Sequence, residues 1–280
     1  MRTVDVQDLA HTIANLCRTA NTILPPDVYQ AIQAAVMRET SPIGRMTLEE
    51  IRDNADYARS EGIALCQDGG ITMVFLDVGQ DVVWRGGSVT EAVNQGVRDG
   101  YQSSFLRGSM LDRPFNGKNT GDNTPAIIHT RLVAGDQVRV TVLPKGGGAD
   151  NASRLQIFTP AQGLDAVRAF VIETVEKAGP GACPPLIVGV GIGASFDSVG
   201  VLAKRALLRN IGTTHPDPEV GDWERDWLDA INALGIGPQG YGGTVTALTV
   251  HIETAPRHIA SIPVAVNLQC HSARKGTVVL

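Results

Sequence analysis

Apolar residues at helical spacing dominate the first sixty positions. Leu9, Ile13, Leu16, Cys17 and Ala20 fall three or four apart and predict one buried helical stripe. After Pro25, Pro26 and Asp27 a second stripe runs through Val28, Ile32, Ala35 and Val36. Thr47 with Glu50 reads as a capping box opening a third helix, which Gly62 closes. Beyond that point the period changes. Residues 71–78 form a β-rich run, and Ser88 with Glu91 predicts a capped helix reaching Tyr101. Residues 126–133 and 137–143 read as strands, the second with Val138, Val140 and Val142 on one face. There follow a strand over 155–159, a helix over 164–177, the apolar run 186–190 and a helix over 195–209. An amphipathic helix over 223–234 and strands over 244–253 and 263–268 complete the series.

The pattern predicts an α+β fold: a helical section over residues 1–62, then a mixed α/β part over 63–280 with glycine-rich loops. No repeat or low-complexity linker interrupts it, so one domain over 1–280 is expected, with 210–219 as its most loop-like interior stretch.

Composition narrows the function. The chain has 43% hydrophobic and 19% charged residues, enough to bury a substantial core. A net charge of −5, with no Lys/Arg run longer than a pair, argues against nucleic acid as a partner. The longest apolar run, near Pro184 to Ala194, is too short and glycine-rich to cross a bilayer. The amino terminus lacks a secretory apolar stretch, so a cytoplasmic protein without membrane contact is expected. Four cysteines, at 17, 66, 183 and 270, contain no CxxC pair. In a reducing compartment they are buried thiols, nucleophiles or metal ligands.

Between the periodic segments lie islands that folding alone explains poorly. They are Cys66–Gly70, Asn119–Pro125, Lys145–Gly148, Cys183–Pro185, Gly189–Gly193 and Gln269–Lys275. Loops of this composition bring bare N–H groups and polar side chains to a ligand. The spacing of Gly189, Gly191 and Ala194 after a strand fits a dinucleotide fingerprint. The acidic residue expected some twenty positions later is replaced by Gly212-Thr213-Thr214-His215-Pro216. A tight strand-to-helix packing accounts for the same glycines. Cys17 sits on the apolar stripe and reads as a small buried hydrophobe. Cys66, Cys183 and Cys270 sit instead at junctions flanked by Gln, Pro or His, where a core thiol gains little.

With these residues the sequence resembles the alpha subunit, or amino-terminal domain, of the class I (iron–sulfur) fumarate hydratase and L-tartrate dehydratase family. The matching elements are Cys66-Gln67-Asp68, Asn119-Thr120-Gly121, Lys145 to Gly148, Ala182-Cys183-Pro184-Pro185, Gly189 to Gly193, Ile236-Gly237-Pro238-Gln239-Gly240, and Arg257-His258 ahead of Gln269-Cys270. They occur in family order over nearly the whole chain. The resemblance implies that Cys66, Cys183 and Cys270 hold a [4Fe-4S] cluster with one iron free of protein ligand. It also implies that Gln67, Arg107 and Gly147 bind a small dicarboxylate, and that Asp68 and His258, paired across two protomers, serve proton transfer. The implied reaction is reversible hydration of fumarate to malate, with L(+)-tartrate dehydration as the alternative. A non-enzymatic dinucleotide- or phosphate-binding module is the alternative of a different class. Single-chain members continue past the third cysteine into a second domain, so a beta subunit in an α2β2 assembly is the implied partner. Gly69 stands where the family usually has Thr, which implies a looser turn or altered hydrogen bonding there.

Overall fold

The computed structural model describes residues 1–280. In chain order its elements are β1 (Arg2–Asp5), α1 (Val6–Thr22), α2 (Pro26–Arg38), α3 (Pro42–Glu61), β2 (Ile71–Gly79), β3 (Val82–Arg85), α4 (Val89–Ser103), β4 (Ile127–Val133) and β5 (Val138–Lys145). They continue with α5 (Gly147–Asn151), β6 (Arg154–Phe158), α6 (Gly163–Ala178), β7 (Leu186–Ala194), α7 (Val199–Ala206), α8 (Pro218–Asn232), β8 (Ala247–Arg257), β9 (Ile262–Gln269) and β10 (Gly276–Val279). Helices and mixed sheets coexist, which is the α+β fold that the periodicity predicts. No helix is long and apolar enough to cross a membrane.

The chain divides into two compact units. The first comprises Met1–Pro25, Ala55–Gly147 and Arg274–Leu280; the second comprises Pro26–Asn54 and Gly148–Ala273. In the first unit a sheet of order β10-β5-β2-β4 pairs β2 parallel to β4 and antiparallel to β5. Val74, Leu76 and Val78 of β2 and Val138, Val140 and Val142 of β5 share a core with Leu9, Ile13, Leu16 and Cys17 of α1. The alternation in the strands and the three-four spacing in the helix therefore meet on one apolar layer. Asp5 caps α1 by accepting from the Gln7 N–H at 2.8 Å, and Ser88 caps α4 by accepting from Glu91.

In the second unit the sheet order is β6-β9-β7-β8, with β7 parallel to β8 and antiparallel to β9. Successive residues of β7 face opposite sides. Leu186, Val188 and Val190 enter a core with Phe170, Val171 and Val175 of α6 and Trp227 and Ile231 of α8. Gly189 and Gly191 face α7: a β-carbon at Gly189 would stand 2.4 Å from the Ala203 carbonyl, and one at Gly191 2.6 Å from that of Val199. These glycines let α7 lie directly on the strand. They sit inside β7, not in a loop free to cradle a phosphate, so the dinucleotide reading of Gly189 to Ala194 gives way to close helix–strand packing.

Several boundaries differ from the periodicity: the helix expected over 223–234 begins at Pro218 and the strand expected over 244–253 runs from Ala247 to Arg257, and two further differences have a local cause. The third helix begins at Pro42, ahead of Thr47 and Glu50. Ser41 accepts the Gly44 N–H at 3.2 Å, and Pro42 occupies the first turn, where a missing N–H costs nothing. Thr47 lies inside the helix and bonds back to the Ile43 carbonyl at 2.9 Å, so the Thr47–Glu50 spacing caps nothing. The helix expected over 195–209 is confined to Val199–Ala206, because Ser195 to Ser198 close a turn through Ser195 N–H to Ser198 Oγ at 3.3 Å.

Candidate functional site

In the first unit the polar islands gather on Asp68, in the loop between α3 and β2. Its Oδ1 accepts the Gly70 N–H at 2.9 Å and the Ser109 hydroxyl at 3.0 Å, and its Oδ2 accepts the Gly147 N–H at 2.9 Å. Burial raises the Asp68 carboxyl. The Gly147 and Gly70 N–H groups, the Ser109 hydroxyl and the Arg274 charge outweigh that and hold it below the ordinary carboxylate value. Asn123, fully buried, ties the same loops: its Nδ2 donates to the Gly70 carbonyl at 3.1 Å and to Thr72 Oγ1 at 3.0 Å, while its Oδ1 accepts the Ser109 N–H at 2.7 Å. Asn119 Nδ2 reaches the Gly108 carbonyl at 2.8 Å.

Arg274 belongs to this group and received no role from the sequence. Its guanidinium is buried, donates to the Asp68 carbonyl and reaches Asn21 Oδ1 at 3.0 Å. Gln67 and Arg107 are exposed beside the loop, and the Cys66 thiol lies 3.5 Å from Gln67 Oε1. Gly147 spends its N–H on Asp68. The turn at Gly69 is tight rather than loose: a β-carbon there would stand 1.9 Å from the Arg107 carbonyl, and the Tyr101 hydroxyl donates to the Gly69 carbonyl at 2.7 Å, so of the two expectations only altered hydrogen bonding stays open. Lys145 is buried at the end of β5.

In the second unit Cys183 and Cys270 are neighbours. Cys183 precedes β7 and Cys270 follows β9, and the antiparallel register Ile187↔Gln269 brings those two strand ends together. The His271 N–H donates to the Cys183 carbonyl at 3.2 Å. Both cysteines are half-buried, and a cleft of about 370 Å³ lined by Gln239, Tyr241, His271, Glu50 and Asn54 lies beside His271. His258 is exposed in the turn after β8, with Nδ1 accepting the Ala260 N–H at 3.1 Å. Because β8 runs parallel to β7 with Leu186 opposite Ala247 and Ala194 opposite Arg257, His258 sits at the other end of this sheet from the two cysteines. At the rise of an extended strand that is about 30 Å.

A buried carboxylate that sequence reasoning missed shapes the same unit. Glu39 is 1% exposed and accepts from the N–H groups of Ser41, Thr244 and Val245 at 2.8 to 3.0 Å. Burial raises its carboxyl, and those donors together outweigh burial and lower it.

The sequence profile of the family described as fumarate hydratase (Fumerase) matches residues 10–279. The chain belongs to this family. A Methanocaldococcus jannaschii relative, provisionally named L(+)-tartrate dehydratase subunit alpha, is 37% identical over 276 residues, covering 96% of each chain. The L(+)-tartrate dehydratase subunit alpha of Escherichia coli is 34% identical over 276 residues, covering 98% of this chain and 91% of its own. That of Shigella sonnei is 33% identical over 278 residues with the same coverage.

The fumarate hydratase family implies an iron–sulfur cluster, for which thiolates are the usual donors; Cys66 belongs to the first unit and Cys183 and Cys270 to the second. Cys17 is fully buried and burial pushes its thiol up to about 12, which removes it as a thiolate donor. Cys66, Cys183 and Cys270 remain, none in a disulfide and all half-buried on loops. No three His, Cys, Asp or Glu side chains are grouped so as to hold a metal ion. A cluster asks something different of its donors, since each thiolate takes its own iron and the sulfurs need not converge on one point.

Proposed function

We propose that this chain is the alpha subunit of a two-subunit iron–sulfur hydro-lyase that dehydrates L(+)-tartrate. One observation carries the substrate choice: the relatives described above match over 91% or more of their own length and share the name L(+)-tartrate dehydratase subunit alpha. That shifts the preference away from the fumarate-first reading of the sequence. Fumarate hydration stays as the second reading because the family itself is described by it.

In this proposal Cys66, Cys183 and Cys270 hold the [4Fe-4S] cluster. When bound, the cluster supplies an iron with an open coordination position, a Lewis acid for a carboxylate and a hydroxyl. The chain's own groups do the rest. Loss of water takes a hydroxyl from one carbon of the dicarboxylate and a proton from the next. The exposed Arg107 guanidinium offers a planar fork for the second carboxylate, and Gln67 beside it offers a donor and an acceptor. Asp68, with its oxygens engaged by Gly70, Ser109 and Gly147, keeps that loop in one conformation, and in this reading it serves proton transfer together with His258. His258 joins from a second protomer as a proton carrier, since in its own chain it stands at the far end of the sheet from Cys183 and Cys270. The "subunit alpha" names support a beta subunit as partner, with α2β2 as the simplest symmetric assembly. Cytoplasmic residence belongs to the same reading, because four cysteines outside any disulfide suit a reducing compartment.

The test is anaerobic co-purification with the beta subunit, iron and sulfide quantitation, and kcat/KM on L(+)-tartrate, malate and fumarate. Tartrate should exceed the other two by at least about tenfold. Equal or higher kcat/KM on fumarate restores the second reading. Absence of iron and sulfide from active enzyme overturns the cluster.

A further inference from the structure

We infer that Gln239 is the positioning residue for the second cluster cysteine, holding the Cys183 turn through the carbonyl of Pro184; this rests on the reading of Cys183 as a cluster ligand. The backbone of Cys183 has φ 56° and ψ 65°, the left-handed region that a β-carbon makes unfavourable. Such a conformation persists only where neighbours over-determine it. Two of the contacts that do so are backbone bonds at Cys183 itself, its N–H to the Pro180 carbonyl at 3.0 Å and its carbonyl from the His271 N–H at 3.2 Å. The chain after Cys183 is harder to hold. Pro184 and Pro185 have no N–H to donate, which leaves their carbonyls as the backbone handles. Gln239 takes the Pro184 carbonyl twice, by its backbone N–H at 2.9 Å and its side-chain Nε2 at 2.8 Å.

The segment that carries Gln239 is built for this approach. Gln239 is itself left-handed, at φ 52° and ψ 15°. A β-carbon at Gly240 would stand 2.4 Å from the Pro180 side chain, so residues 239 and 240 touch the cysteine turn at both its ends. The Gly237 N–H is fixed on Thr246 Oγ1 at 3.1 Å, and Glu39 grips Thr244 and Val245 just beyond. Gln239 also lines the cleft beside His271, so it borders the loops of both cysteines of this unit. An amide closing on a carbonyl has no proton to exchange in the reaction. Its contribution is to keep the thiol where an iron would find it, as outer partners do for metal ligands.

Q239N and Q239G separate the side chain from the backbone. Asn and Gly both accept the left-handed conformation, but neither can carry an amide to Pro184. The full chain, reconstituted anaerobically, is challenged with an iron chelator while cluster absorbance and protein-bound iron are followed. Both variants should lose iron about tenfold faster than the parent. Alkylation of the cluster-free chain, read cysteine by cysteine by mass spectrometry, should rise several-fold at Cys183 and stay unchanged at Cys66 and Cys17. Parental rates in both measurements overturn the assignment. A common rise at all four cysteines reports general unfolding and overturns it as well. Failure of the parent to take up iron and sulfide defeats the cluster reading alone, and the alkylation pattern then still decides whether Gln239 holds Cys183.

Discussion

Replacing Glu39 by Gln tests whether a buried carboxylate organises the second unit. The carboxylate receives backbone N–H groups that include those of Ser41, Thr244 and Val245, and the Thr244 hydroxyl at 3.3 Å. Gln keeps the shape but has one acceptor oxygen. With that oxygen on the Ser41 and Thr244 side, its NH2 faces the Val245 N–H, donor against donor. A hydrogen bond to a charged group contributes about 2 kcal/mol, and leaving a buried N–H unpaired costs about 1–2 kcal/mol more. Glu39→Gln should therefore destabilise this unit by about 3–4 kcal/mol near neutral pH. Urea unfolding of the reduced chain measures it through tryptophan emission, because Trp223 and Trp227 lie in this unit and Trp84 in the other. The pH dependence has a definite sign. The folded-state value of Glu39 lies below the ordinary 4.5, so its contribution is complete above that value and disappears as pH falls through the folded one. The gap between parent and variant should shrink in acid. A loss under about 1 kcal/mol, or a gap that widens in acid, refutes the clamp.

Three further outcomes are expected on the proposed reading. Cys66→Ala, Cys183→Ala and Cys270→Ala should each abolish reconstituted cluster absorbance while Cys17→Ala keeps it, and equal loss in all four contradicts the ligand set. Gly69→Ala forces a β-carbon against the Arg107 carbonyl and should cost about 1–3 kcal/mol of unfolding free energy by calorimetry; a neutral result would mean that the turn gives way freely. His258→Ala, at an exposed turn, should leave stability within about 0.5 kcal/mol and yet lower kcat/KM of the assembled enzyme by at least about tenfold, a drop that steady-state assays read directly.

Much of this architecture is legible along the chain. The stripe Leu9, Ile13, Leu16, Cys17 and Ala20 is buried throughout, and the alternating valines of β5 lie in the same core. Elements that bury a whole face announce themselves by period. The short exposed strands β1, β3 and β10 do not, because too few of their side chains are buried to set one. The start of the third helix is not legible because Thr47 and Glu50 copy a capping spacing, while the true start, at Ser41 and Pro42, lies six residues earlier. Site residues divide in the same way. Cysteines and glycine islands stand out by composition, whereas Glu39 and Arg274 are ordinary charged residues whose meaning comes from partners more than 200 positions away, Thr244 at a separation of 205 and Asp68 at 206. Nothing local marks such a pair.

Asp68 joins the backbone of residues 70 and 147 to the side chain of Ser109, so one carboxylate keeps three stretches of chain in register. A position tied into that many neighbours has little freedom to drift, because any replacement must satisfy all of them before it can alter chemistry. If Gln67 and Arg107 contact the diacid as proposed, divergence from one substrate to another is easier there, since both side chains are exposed. Members of such a lineage can thus change what they recognise by retouching the rim while the keystone stays put.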